Sequence, residues 1–289
     1  MKLAIATCQK QPDLFETERP LIALFHTHGI SAEPVIWNNP AVEWQNYNGV
    51  LIRSVWDYHL HAAEFDSWLN MLEAKNIYTL NPVAAVRKNQ NKLYLRQLEQ
   101  SGIEIVPTVF IEKTNRLNLS AIENKGWQKM VIKPAVSANA YHTRLFEAKD
   151  LPAIEKEFSS MASECELLVQ PFMPEVNEFG EISMLFFNRQ YSHSVLKVPK
   201  PGDFRVQAEF GGLTTSFEAD TKLIETGEKI ISCIKGDILY ARVDGIIKDG
   251  TFLLMELELI EPFLFFDYQK GSMEKFVRDA AGLFKNVPG

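Results

Sequence analysis

The chain has 289 residues, enough for one large core or two to three smaller ones. Its 46% hydrophobic and 23% charged content is ordinary for a globular protein, which excludes collagen-like and disordered classes. The net charge of −7 argues against general nucleic-acid binding, which needs a basic face, but leaves room for a local cationic cleft.

The first residues, MKLAIATC, read as a strand, since they lack the full apolar region and cleavage site of a signal peptide. No apolar run is long enough to span a membrane, so the expected location is the cytoplasm, with no membrane partner. Cys8, Cys165 and Cys233 have no metal-ligand spacing and suit a reducing compartment. The pairs His26/His28 and His59/His61 do not match a zinc spacing and read as surface or cap residues.

A helix is expected from about Phe15 to His28, with Leu21, Ile22, Leu24 and Phe25 inward and Gly29 closing it. Strands follow at Ala32 to Trp37 and Gly49 to Val55. Ala62 to Lys75 reads as an amphipathic helix burying Phe65, Trp68, Leu69 and Leu72. A short strand follows at Ile77 to Leu80. Strands alternating with helices imply a parallel α/β layer that binds ligands at strand C-terminal ends. The segment from Arg53 to Tyr58 sits at such an end. It reads as a substrate-pocket wall or as a strand-to-loop ion pair with a packing Trp.

Asn81-Pro82 opens a helical stretch, and Asn91 to Gln100 is a helix carrying Lys92 near its start. Ile103 to Ile111 is expected as a strand interrupted by Pro107, Met130 to Pro134 as a strand containing Lys133, and Val136 to His142 as a loop. A helix from Lys149 to Met161 and a strand from Leu167 to Phe172 complete a small α+β unit over roughly 103–172. Strands near Phe179–Phe187 and Gln190–Val198 precede a loop with Gly202-Asp203-Phe204-Arg205 and Gly211-Gly212. Helices are expected at Ala219 to Ile234 and Ser272 to Lys285.

Between the last two helices lies ARVDGIIKDGTFLLMELELIEP, residues 241–262. Two apolar runs flank Lys248-Asp249-Gly250, a strong hairpin signal. Residues two apart on a strand share a face. Arg242 therefore faces with Asp244, and Glu256 with Glu258. Three carboxylates brought together need compensation, which a hard divalent cation supplies well. The alternative is a solvated face with Arg–carboxylate pairing.

Other residues suit a nucleotide. Lys92 and Lys133 can act as point charges for phosphate, or be solvated. Ser137 lies in a glycine-free loop where a phosphate cover would be useful. Pro171 breaks the strand pattern of Gln170-Pro171-Phe172-Met173, so its backbone groups can read the edge of a flat base. Glu178 or Glu181 can accept a ribose hydroxyl. Arg205 can stabilise transferring phosphoryl charge. No Walker A motif or dinucleotide fingerprint is present.

Taken in order, these residues resemble the ATP-grasp superfamily of ATP-dependent carboxylate ligases, by motifs over roughly 80–262 and by layout elsewhere. The resemblance implies an α/β and α+β fold. An N-terminal α/β domain at 1–85, a small central lid at 86–172 and a C-terminal antiparallel-sheet domain at 173–289 are expected. It implies ATP and Mg²⁺ as cofactors, with Mn²⁺ as the alternative metal. Arg242-Val243-Asp244 looks like the phosphate-binding Arg and metal-binding Asp of D-alanine–D-alanine ligase. Glu256-Leu257-Glu258 looks like the metal pair Glu-x-Asn, with Glu258 in the Asn position. Lys92 and Lys133 match the nucleotide lysines, Gln170 to Met173 the adenine hinge, and Glu178 or Glu181 the ribose contact. Ser137 and Lys197 join the nucleotide set. Gly202 to Arg205 with Gly211-Gly212 is similar to a segment of bacterial glutathione synthetase.

The segments Arg53–Tyr58 and LELIEP look most like the D-cycloserine ligase group. The implied activity is Mg-dependent activation of a small carboxylate as an acylphosphate, which an amine or thiol then attacks. The implied partners are these small molecules, with a homodimer as the default assembly. A phosphotransferase on the same fold and a non-catalytic nucleotide-binding regulator are the alternatives.

Overall fold

The computed structural model describes residues 1–114, 119–138 and 142–285. It contains three sheets. The first is parallel, in the order β2-β1-β3-β4, and comprises β1 (Lys2–Thr7), β2 (Ser31–Ile36), β3 (Gly49–Ser54) and β4 (Tyr78–Leu80). Helices α1 (Pro20–Thr27) and α2 (Ala62–Ala74) connect its strands. α2 buries Phe65, Trp68, Leu69 and Leu72, the face that its periodicity indicates. The expected helix from Phe15 starts later. A 3₁₀ turn at Glu16–Glu18 precedes Pro20, whose fixed φ and missing N–H suit the first helical position.

Helices α3 (Val83–Gln90) and α4 (Tyr94–Gln100) lead away from the first sheet. The expected helix from Asn91 begins only at Tyr94. The Asn91 side chain accepts from Leu93 N at 3.0 Å, a local bond that competes with helix formation. Lys92 lies in this break.

The second sheet is antiparallel, in the order β5-β8-β6-β7. Its strands are β5 (Val109–Ile111), β6 (Lys129–Pro134), β7 (Arg144–Glu147) and β8 (Leu167–Pro171). Helices α5 (Ser120–Glu123) and α6 (Leu151–Glu164) accompany it. The long strand expected from Ile103 is reduced to β5. Upstream of Pro107 the chain instead follows another sheet, with a bridge from Ile105 to Leu254 and a bond from Val106 N to Leu254 O at 3.0 Å.

A short helix α7 (Glu175–Glu178) precedes the third sheet, which is five-stranded and antiparallel in the order β11-β10-β9-β12-β13. These strands are β9 (Glu181–Phe187), β10 (Gln190–Val198), β11 (Leu213–Phe217), β12 (Tyr240–Lys248) and β13 (Thr251–Glu258). Helix α8 (Thr221–Ser232) covers it. Gly227 of α8 makes that approach close: a Cβ there would meet the Phe186 ring at 2.6 Å.

The final helix α9 (Ser272–Lys285) returns to the beginning of the chain. Phe276, Val277, Ala280, Ala281 and Phe284 share one core with Leu3, Ile5 and Leu51 of the first sheet and Leu185 and Phe187 of the third. The first and third sheets are also joined by polar contacts. Asn81 donates to the carbonyls of Tyr240 and Leu259 at 2.9 and 2.8 Å, and the Tyr240 hydroxyl donates to Ile52 O. Among the described residues no helix is long and apolar enough to cross a membrane.

Candidate active site

The three sheets surround one large cavity of about 970 Å³. Its floor is the β12–β13 hairpin. The register pairs Arg242 with Glu258 and Asp244 with Glu256, so all four side chains rise from one face, as the period-two pattern indicates. A bulge after Asp244 lets Gly245 lie against Phe252 and Leu253 O, where a Cβ would come within 2.4 Å of both.

Each carboxylate on the floor has a cationic partner. Arg242 Nε donates to both carboxylate oxygens of Asp244 at 3.0 Å, and its Nη2 donates to Glu258. Lys92 Nζ lies 3.2 Å from Glu256 and donates to Ser137 O at 2.5 Å. Lys197 Nζ, from β10, lies 2.5 Å from Glu181 and 3.6 Å from Asp244. Ser183 donates its hydroxyl to Asp244. Ser183 is two residues beyond Glu181 on β9, so strand spacing alone could have identified it.

The charges shape one another. Burial opposes ionisation of Asp244, but Arg242 and Lys197 hold its carboxyl below the ordinary value. Glu256 is likewise lowered by Lys92 and Lys133 against the burial effect. Burial pushes Glu258 well up, with Asp244 and Glu256 adding to it despite Arg242. Burial raises the Glu261 carboxyl to about 7, against the pull of Lys92 and with the push of Glu256. Lys133 is lowered, first by burial and then by its neighbour Lys92.

The cavity wall from the second sheet carries Lys133, Gln170, Phe172 and Met173. Gln170 is buried and donates to Thr108 at 2.9 Å. Phe172 N is already committed to Lys129 O at 2.8 Å, while Lys129 Nζ sits 4.3 Å from the Phe172 ring centre. Ser137 also lines the cavity, whereas Asn139 and Ala140 of the same loop lie outside the described residues. Glu181 lines the cavity; Glu178 is exposed on α7 and does not.

Arg205 reaches the cavity from the loop between β10 and β11. Its guanidinium stacks 3.7 Å from the Phe210 ring centre and donates to Asp203 at 3.0 and 2.8 Å. Gly211 adopts φ +83°, and a Cβ on Gly212 would collide with Val206 O at 2.1 Å. The Gly-Gly pair therefore allows the loop to fold against its own backbone.

The Arg53–Tyr58 segment divides between its two readings. Arg53 is buried, bonds Glu18 and Pro262 O, and lies away from the cavity. Trp56, Asp57 and Tyr58 line it. Glu261, three residues past the floor carboxylates, also lines it; the period-two argument ended at Glu258 because β13 ends there.

The floor carboxylates Asp244, Glu256 and Glu258 are the donors available to a Mg²⁺ ion. Among the described residues no three His, Cys, Asp or Glu side chains converge on one point. All are hard oxygen donors, however, and burial, with Asp244 and Glu256 adding to it, disfavours a charged Glu258 despite Arg242. Mg²⁺ normally takes one or two carboxylates and completes its shell with water and phosphate oxygens. The donor set fits a Mg²⁺ shared with a phosphate rather than an all-protein cage.

Known proteins match both the sequence and the fold. Residues 3–81 match the family model described as the N-terminal domain of the D-cycloserine synthetase DcsG. The cycloserine biosynthesis protein DcsG of Streptomyces lavendulae is 24% identical over 286 residues, covering 92% of this chain and 93% of that protein. A crystal structure of D-cycloserine synthetase DcsG superposes with a TM-score of 0.87 at 21% identity, covering 98% of this chain and 100% of that one. A RimK domain ATP-grasp protein from Sphaerobacter thermophilus DSM 20745 gives a TM-score of 0.72 at 17% identity, covering 96% and 98%. The chain thus has the ATP-grasp fold around its cavity, and a DcsG relative matches nearly its whole length.

Proposed function

We propose that this protein is a ligase that uses MgATP to convert a small carboxylate into an acylphosphate, on which an amine closes. The observation that carries this reading is the cross-strand ladder of Arg242, Asp244, Glu256 and Glu258 facing Lys92, Lys133 and Lys197 across one cavity. Such a set binds polyphosphate and metal together and contains no nucleophile that the reaction needs.

Adenine would lie along Gln170 to Met173, with Glu181 toward the ribose. Lys92, Lys133 and Lys197 would hold phosphate oxygens, and Ser137 would close over them. Asp244, Glu256 and Glu258 would hold Mg²⁺. When bound, Mg²⁺ neutralises charge on the phosphate chain. Arg242 and Arg205 face the side where the γ-phosphoryl group transfers. An oxygen of the substrate carboxylate attacks the γ-phosphorus and the bond to ADP breaks. The amine then attacks the acyl carbon, phosphate leaves, and the amine sheds its proton. The protein's contribution is positioning and charge stabilisation. The match to D-cycloserine synthetase supports a small amino-acid-like substrate.

The test is ADP release with MgATP, hydroxylamine and a pool of amino acids and small carboxylates. Hydroxylamine captures an acylphosphate as a hydroxamate. ADP with a hydroxamate is the expected result. ADP with phosphate retained on the acceptor would replace the reading with phosphotransfer. MgATP binding without turnover across the pool would replace it with a regulatory role.

A further inference from the structure

The cavity has a stretch of wall that the nucleotide reading leaves unused. Three segments build it: the loop after β1 supplies Phe15, the loop after β3 supplies Trp56, and the chain after β13 supplies Glu261 and Phe263. The rings meet edge to face, Phe15 to Trp56 at 5.5 Å and Phe15 to Phe263 at 5.2 Å. Trp56 Nε1 donates to Glu261 O at 3.1 Å, which holds the acid's backbone against the aromatic wall.

Glu261 differs from Glu181 and from the three acids of the floor. Glu181, Asp244, Glu256 and Glu258 each have a lysine or arginine partner. Among the described residues Glu261 has no ion-pair partner. Lys92, the cation that draws on it most, is already committed to Glu256 and Ser137. Asp57, which also lines the cavity, accepts from Trp37 Nε1 at 2.8 Å.

A carboxylate beside aromatic faces selects an organic cation. The ammonium gains Coulomb attraction from the acid and cation–π attraction from the rings, while its apolar substituent covers ring surface. An anion would be repelled by the acid. A bare metal ion would need converging donors, which the described residues do not offer.

We propose that Glu261, walled by Phe15, Trp56 and Phe263, is the seat for a primary ammonium group carrying an apolar substituent. The seat holds the acceptor amine of the ligation; only that naming of its role rests on the proposed function. The acid then sets the preference for amines over neutral molecules of the same shape.

The test uses the intact protein without nucleotide, titrated in a calorimeter with benzylamine and with benzyl alcohol at about pH 8, where the Glu261 carboxyl is mostly ionised and the amine still protonated. Benzylammonium is expected to saturate one site and to bind at least about tenfold more tightly than the alcohol. Glu261→Gln should lower benzylammonium affinity by about tenfold or more and leave the alcohol unchanged, while Trp56→Ala should weaken both. Equal affinity for the two probes, no saturable amine binding, or undiminished amine binding by Glu261→Gln would each overturn the proposal. The comparison of two probes on the unmodified protein needs no variant to fold. It also needs no turnover, so failure of the ADP and hydroxamate assay would leave its outcome standing.

Discussion

Lys197 Nζ, on β10, lies 2.5 Å from Glu181 on the adjacent β9 and 3.6 Å from Asp244 on β12 beyond it, so one lysine joins carboxylates from two successive strands. Lys197 is held above its ordinary pKa by Asp244 and Glu181 even though burial works against its charge. Substituting Lys197→Met leaves Glu181 without its cation, while Asp244 keeps Arg242 and Ser183. Breaking a buried pair by removing one partner costs about 3–5 kcal/mol. Urea denaturation should show a loss of that order, together with weaker ATP binding. Unchanged stability and affinity would mean that the lysine is idle.

Glu256→Ala removes a proposed metal ligand and releases Lys92 from its 3.2 Å pair, although Lys92 retains Ser137. ATP turnover should fall by at least about 100-fold, the scale for losing one preorganised electrostatic group at a reacting centre. The fold should survive, since β13 keeps its ladder to β12, and circular dichroism and thermal melting check this. Turnover at the unmodified rate would remove Glu256 from the metal site.

Gly49 touches the last helix. A Cβ there would lie 2.4 Å from the Phe284 ring and 3.0 Å from Tyr78 O. Gly49→Ala should destabilise the protein by about 1–3 kcal/mol through overpacking. Adding Phe284→Leu should recover part of that loss, because the ring can retreat and the Tyr78 carbonyl cannot. Additive losses in the double variant would show that the two sites do not press on each other.

His193 supplies a pH prediction. Its ring is buried between Ser192 Oγ at 3.0 Å and Phe265 O at 3.1 Å, and burial lowers its pKa below the ordinary value. The folded state therefore binds a proton less readily than the unfolded chain. The stability His193 contributes is present above the unfolded value of about 6.5 and is lost as pH falls through the lower folded value. Between about pH 7 and about pH 5 the melting temperature of the unmodified protein should fall further than that of His193→Gln. Parallel profiles would mean that the imidazole does not titrate on folding.

The floor of the site was legible because its signal is local. A two-residue period and an Asp-Gly turn define which side chains share a face, and Arg242, Asp244, Glu256 and Glu258 do share one. The strand Leu213–Phe217 was not legible. It is a polar edge whose Leu213 is exposed, so no burial pattern marks it. Arg53 shows the other limit. Whether a strand-end arginine faces a ligand or an ion partner depends on Glu18, far away in sequence, and on Pro262, farther still. Helix boundaries shifted where short-range polar chemistry competed, as at Asn91, or where Pro20 reset the start.

The closing helix α9 has a consequence for the order of assembly. Synthesis releases β1 long before α9, yet Leu3 and Ile5 share their core with Phe276, Val277 and Phe284. The first sheet must wait, with part of its apolar face uncovered, until α9 has left the ribosome. The small second sheet gathers its own core from Ile122, Met130, Ile132, Phe158 and Leu167, all close together along the chain. Contacts of short sequence separation form quickly, and distant ones slowly. The middle of this protein is thus equipped to fold while its beginning is still incomplete, and the earliest strands are the ones most in need of protection during translation.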